Sequence, residues 1–215
     1  MNMPSLRTLA VSLFVAATAS AGLSGQGNMV QTHIGHVMDA FGGTPMGMGL
    51  LPTAMAEAKV AAQHADLAAK STTLPMMQTH AGHVLNAIDP MLAAQGPGLG
   101  YGLKKAALAA AQHADLAGKA PEATAAVKLH AMHVNTAAKN AAAMADAVID
   151  LAQKIRASTS MADAARLAAD LKVMAEQITS GVDADRNGTV GWDAPEGGLA
   201  QAQTHMGLMK QAAGG

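Results

Sequence analysis

Histidine recurs in this chain in pairs of one spacing. Gln31-Thr-His-Ile-Gly-His-Val37 is echoed by Gln78-Thr-His-Ala-Gly-His-Val84 and by Lys128-Leu-His-Ala-Met-His-Val134. A degraded fourth copy, Gln203-Thr-His-Met-Gly-Leu-Met209, keeps only its first histidine. A second element, Ala62-Gln-His-Ala-Asp-Leu-Ala68, returns as Ala111-Gln-His-Ala-Asp-Leu-Ala117. On a helix, side chains at i and i+3 have Cβ atoms about 5–6 Å apart. Two neutral imidazoles at that separation can share a borderline-soft divalent ion, and a neighbouring helix can bring a third nitrogen. Taken in chain order, the nine histidines fall into three groups: His33, His36 and His64; His80, His83 and His113; and His130, His133 and His205. Neighbouring units can also exchange ligands between these groups.

The helices that must hold these rings are legible in the apolar pattern. With the first histidine of each copy at zero and 100° per residue, Val30, Ile34, Val37 and Phe41 form an apolar arc beginning about 40° away. Met77, Ala81, Val84 and Ile88 take the same angles in the second copy. Val127, Ala131, Val134 and Ala138 follow in the third, and Ala202, Met206, Met209 and Ala213 in the fourth. Each histidine therefore stands at the edge of a buried stripe, with Asp39, Asn86, Thr136 and Gln211 on the wet side. Asp66 and Asp115 fall on the helix face opposite their own His64 and His113.

Helices are expected over 28–40, 54–70, 75–88, 103–118, 122–157, 160–179 and 196–213. The first pairs are separated by glycine- and proline-rich connections, 41–52 and 89–102, of the kind that ends helices. Aromatic residues make up 2% of the chain and alanine is abundant, a composition that disfavours strands. The fold expected is all-α, an antiparallel bundle built from repeated His-bearing helical hairpins with close helix approach. Residues 28–157 form that bundle, and 158–215 add C-terminal helices. Gly35 and Gly82, inside the histidine pairs, each cost about 1 kcal/mol relative to alanine, which a close neighbour or a flat ligand would explain.

The Thr-His-x-Gly-His, His-x-x-His-Val and His-Ala-x-x-Ala patterns resemble the small metal-binding protein family of bacterial periplasms. The resemblance spans Val30–Asn140. It implies a His-rich helical bundle taking up copper, nickel, zinc or similar ions, with His33, His36, His64, His80, His83, His113, His130 and His133 as metal-binding positions. This chain is longer, sparser in histidine, richer in alanine and methionine, and carries an extra C-terminal module. Those departures point to a few defined sites rather than high-capacity buffering.

That module contains Asp183-Ala-Asp-Arg-Asn-Gly-Thr-Val-Gly-Trp-Asp-Ala194. Oxygen ligands at loop positions 1, 3 and 5, and glycine at 6, match a calcium-binding EF-hand. Asp183, Asp185 and Asn187 would coordinate through side chains and Thr189 through its carbonyl. The glutamate expected at position 12 is Ala194, so Glu196 serves only if the Pro195 turn brings it round.

Residues 1–21 read as an export signal: Arg7 precedes an apolar run ending at Ala19-Ser20-Ala21, a small-residue cleavage site. No later segment is apolar enough to cross a membrane, so a periplasmic or secreted location is expected. A formal net charge of −1 and so few aromatics argue against nucleic acid as a partner. The absence of cysteine excludes disulfides, thiolate nucleophiles and iron–sulfur clusters. No catalytic motif supports an enzyme. Three readings stand: a Cu-, Zn- or Ni-binding protein for storage, buffering or delivery; a b-type haem electron carrier with bis-His ligation; and a structural helical protein with incidental histidines.

Overall fold

The computed structural model describes residues 28–214. The expected export signal lies outside the described residues. Seven α-helices appear among them: α1 (Met29–Met38), α2 (Leu50–Lys70), α3 (Leu74–Ile88), α4 (Leu103–Lys119), α5 (Ala125–Ala157), α6 (Met161–Ser180) and α7 (Leu199–Ala212). The architecture is the all-α bundle expected. The 33-residue α5 is about 50 Å long at 1.5 Å per residue and forms the spine. Against it pack α3, α4, α6 and α7, while α2 lies on α3, α4 and α6, and α1 lies chiefly on α4.

Local chemistry sets the helix ends. The side chains of Asn28, Thr124 and Ser160 accept hydrogen bonds from the amides of Gln31, Val127 and Asp163. Each satisfies a first-turn donor that has no partner within its helix. Helix α2 starts at Leu50, four residues before the expected start, with Pro52 in its first turn. Proline is tolerated there because first-turn amides lack intrahelical acceptors. Helix α7 starts at Leu199 rather than 196, because Glu196 to Gly198 belong to the preceding loop. Gly49 is required where α2 begins, since a Cβ there would meet the Met38 carbonyl carbon at 2.4 Å.

The apolar arcs of the four copies are buried as their register requires. Val30, Ile34, Val37, Met77, Ala81, Val84, Ile88, Val127, Ala131, Val134, Ala138, Ala202, Met206 and Met209 all enter the core. Alanine fills most of the rest, which lets backbones approach closely. At Gly118 a Cβ would come within 2.8 Å of the Ala131 Cβ, so α4 and α5 meet there without room for a methyl group. The first two copies also share a capping device at their first residue, the side-chain amide of a glutamine. The Gln31 amide donates to the Ala213 carbonyl at the end of α7 (2.8 Å), and Gln78 donates to the Arg156 and Ser158 carbonyls at the end of α5 (3.2 and 3.0 Å).

Two sequence expectations change. Asn86, placed on the wet side, is buried; its amide donates to the Ala93 carbonyl and its oxygen accepts from the Gly98 amide. Beside it the fully buried carboxylate of Glu57 accepts from the amides of Leu99, Tyr101 and Gly102. The two side chains draw the glycine-rich 89–102 connection back onto the bundle, which overrides the helical-wheel position of Asn86. Gly35 and Gly82 do not mark close approach. A Cβ at Gly35 would meet only Asp39 Oδ2 at 4.0 Å, and one at Gly82 would touch Arg156 at 3.8 Å, ordinary contact in both cases. No helix of the described residues is long and apolar enough to cross a membrane.

Candidate metal centres

All nine histidines are gathered into three triads, each with a His-x-x-His pair on one helix and a single histidine on another. The first joins His33 and His36 of α1 to His113 of α4. The second joins His80 and His83 of α3 to His64 of α2. The third joins His130 and His133 of α5 to His205 of α7. The third group is as expected, whereas His64 and His113 change places relative to chain order. The reason is connectivity. The three-residue turn 71–73 folds α2 straight back on α3, and α1 then packs mainly on α4 and less on α2.

In every triad the nitrogens that converge are Nδ1. His113 Nδ1 lies 2.9 Å from His33 Nδ1 and 3.3 Å from His36 Nδ1. His64 Nδ1 lies 3.1 Å from that of His80 and 3.3 Å from that of His83. His205 Nδ1 lies 3.2 Å from that of His130 and 3.3 Å from that of His133. An imidazole nitrogen presents either one proton or one lone pair in its ring plane, so it makes a single linear hydrogen bond. The nitrogen of each single histidine nevertheless faces two others at hydrogen-bond distance. Hydrogen bonding alone therefore offers each triad one linear bond, or one proton shared more weakly between two acceptors. A shared cation satisfies all three. A tetrahedral ion with metal–nitrogen bonds of about 2.0–2.1 Å sets its donors about 3.3–3.4 Å apart, close to the separations found.

At six of the rings the surroundings favour the neutral form, the form that binds metal. Burial lowers the pKa of His33, His64, His80, His113, His133 and His205, and neighbouring imidazoles lower it further. At His33 the Glu122 carboxylate opposes this effect, while also accepting the first-turn Val30 amide of α1 at 2.9 Å. Asp66 and Asp115 point away from the triads, as their helix positions predict. They pair instead with Lys70 and Lys172, and with Lys119.

Aromatic neighbours, which the sequence pattern does not reveal, distinguish the centres. Phe41 stands edge-on to His36 and His113, with centroids 5.4 and 5.2 Å apart. Trp192 stacks flat on His133, with centroids 3.8 Å apart and planes 18° from parallel. Trp192 comes from the acidic loop, whose far end is tied to both helices of the third triad. The Asn140 amide of α5 donates to the Gly197 carbonyl at 2.7 Å, and the Gly198 amide donates to Gln201 Oε1 of α7.

Within that loop, oxygens of Asp183, Asp185 and Glu196 come within 4.8 Å of one another. Glu196 is buried and does turn inward past Pro195. Its Oε1 accepts from the Ala184 and Asp185 amides, and its Oε2 from the Gly191 amide. Asp183 accepts from the Asn187 and Gly188 amides, and Gly188 has the positive φ (+90°) that favours glycine at this tight turn. Asn187 Oδ1 accepts from the amide and hydroxyl of Thr189 at 2.9 and 2.6 Å.

No protein-family model, curated protein or solved structure matches the chain.

Proposed function

We propose that this protein binds three transition-metal ions, one in each histidine triad, and serves their storage, buffering or delivery outside the cytoplasm. The observation that carries the reading is the convergence of three Nδ1 atoms in each of three independent places. Incidental surface histidines have no reason to meet this way, and mutual hydrogen bonding engages all three nitrogens only through a weaker shared proton. Nitrogen-only donor sets suit zinc, copper and nickel. The periplasmic metal-binding resemblance and the signal-like residues 1–21 support an exported location.

A bis-His haem fits this arrangement less well. A porphyrin needs a flat slot between two opposed imidazoles, whereas the Nδ1 of each single histidine lies within 3.3 Å of two others, with one of the two rings edge-on. For the acidic loop, the turning-in of Glu196 beside Asp183 and Asp185 supports calcium, with Asn187 and Thr189 as the remaining oxygen donors of the motif. Terbium luminescence excited through the nearby Trp192 tests that assignment; no sensitised emission at micromolar terbium rejects it.

Titration with zinc followed by native mass spectrometry tests the main proposal. Three ions per chain should bind at neutral pH and be lost as imidazoles protonate below about pH 6. A chain that stays free of metal under the same conditions, or loads no more than a triad-free variant, overturns it.

A further inference from the structure

The three centres share one donor set but not one environment. The first has the buried His33 and an edge-on Phe41, and the third has the buried His133 beneath Trp192. The second has neither. His64, His80 and His83 are all half-buried, and among the described residues no other aromatic side chain lies against them. His83 instead lines an open cavity of about 720 Å³ together with Gln78, Thr79, Gly82, Gln95 and Arg156.

The cavity has a definite chemistry. Arg156 is its one fully charged lining residue and forms no salt bridge among the described residues. A Cβ on Gly82 would meet Arg156 Nε at 3.8 Å, so the arginine side chain runs beside the very turn of α3 that separates His80 from His83. A guanidinium in this position is matched to a carboxylate-bearing ligand, which it can hold bidentately. When Nδ1 of His83 holds a metal ion, its Nε2 must keep the ring proton and so becomes a second donor.

From these differences we infer that the second triad, His64, His80 and His83, is the centre at which metal exchanges with external anionic chelates, which dock in the adjoining cavity on Arg156. The inference rests on the proposed metal binding and adds a division of labour to it. Exchange proceeds by ligand substitution, with no change in oxidation state. A carboxylate oxygen occupies the ion's open position as imidazole nitrogens leave, and the reverse order loads the site. Aromatic cover at the first and third centres hinders that approach.

Three variants isolate the centres. His64→Ala with His205→Ala leaves the first triad whole, His113→Ala with His205→Ala the second, and His64→Ala with His113→Ala the third. Each is loaded with zinc, and transfer is timed to citrate, an anionic acceptor, and to 1,10-phenanthroline, a neutral one. The second centre should release zinc to citrate at least about tenfold faster than either other centre. Arg156→Gln in that background should slow transfer to citrate about tenfold and transfer to phenanthroline much less. Equal release from all three loaded centres, or an Arg156→Gln effect that is the same for both acceptors or absent, overturns the inference while leaving metal binding intact. Failure of the parent chain to take up zinc removes both.

Discussion

The exchange of His64 and His113 between triads gives a prediction that separates this structure from the simplest reading of its sequence. Sequence order places His64 with His33 and His36, whereas the folded chain places it 3.1 and 3.3 Å from His80 and His83. The perturbation is His64→Ala alone, then combined with either His33→Ala or His80→Ala. Structural zinc sites with four ligands are worth about 10–16 kcal/mol, or about 3 kcal/mol per ligand, so losing one nitrogen should weaken its centre about 10²-fold. A competing dye can hold free zinc between the intact and damaged affinities while native mass spectrometry counts bound ions. His64→Ala should reduce the count from three to two. Adding His80→Ala should leave it at two, because both changes fall on one centre. Adding His33→Ala should reduce it to one. A count of two in the His64→Ala/His33→Ala protein, with one in the His64→Ala/His80→Ala protein, would refute the pairing and the packing of α1 on α4 that produces it.

Other expectations follow from the same geometry. Six histidines have pKa values lowered below the ordinary 6.5 by burial and by each other, so the unfolded chain takes up protons first on acidification. Stability of the metal-free protein should therefore fall as pH drops from about 6.5 toward those lowered values, and thermal midpoints at pH 7.5 and 5.5 check this; an unchanged or higher midpoint at pH 5.5 is the contrary result. Glu57→Ala leaves three backbone donors in the 98–102 stretch without an acceptor and should cost about 3 kcal/mol or more. That corresponds to a drop of about 10 °C in melting temperature for a chain of this size, and a drop under 2 °C contradicts the clamp. Gly35→Ala and Gly82→Ala meet no crowding and should each stabilise by about 0.5–1 kcal/mol, measurable by denaturant unfolding; destabilisation would mean those faces are occupied in solution.

How far the sequence could be read depended on the range of the interaction. The shared wheel position of Val30, Met77, Val127 and Ala202 is local, and all four are buried where that register puts them. The pairing of helices is not local. His64 and His80 stand eight residues either side of Thr72, so a tight hairpin sets them face to face, and that symmetry was there to be read. The same symmetry about the 120–124 turn would set His113 opposite His130, yet His113 faces α1 while α4 and α5 meet through Gly118 and Ala131. Hairpin register alone could not decide between these partners. Glu57 carried no signal, since its acceptor role depends on amides 42 to 45 residues away. Trp192 was legible only as part of the acidic loop; its stacking on His133 depends on how that loop seats against α5 and α7. For Glu196 the proline one residue earlier raised an inward path only as a condition, and the bonds to the Ala184, Asp185 and Gly191 amides meet it.

The most direct test of the central claim is anomalous X-ray scattering at the zinc edge from crystals of the zinc-loaded protein. Three peaks are expected, each about 2.0–2.1 Å from the three Nδ1 atoms of one triad. Peaks confined to outward-facing Nε2 atoms, or no peaks within the triads of a fully loaded crystal, would contradict it.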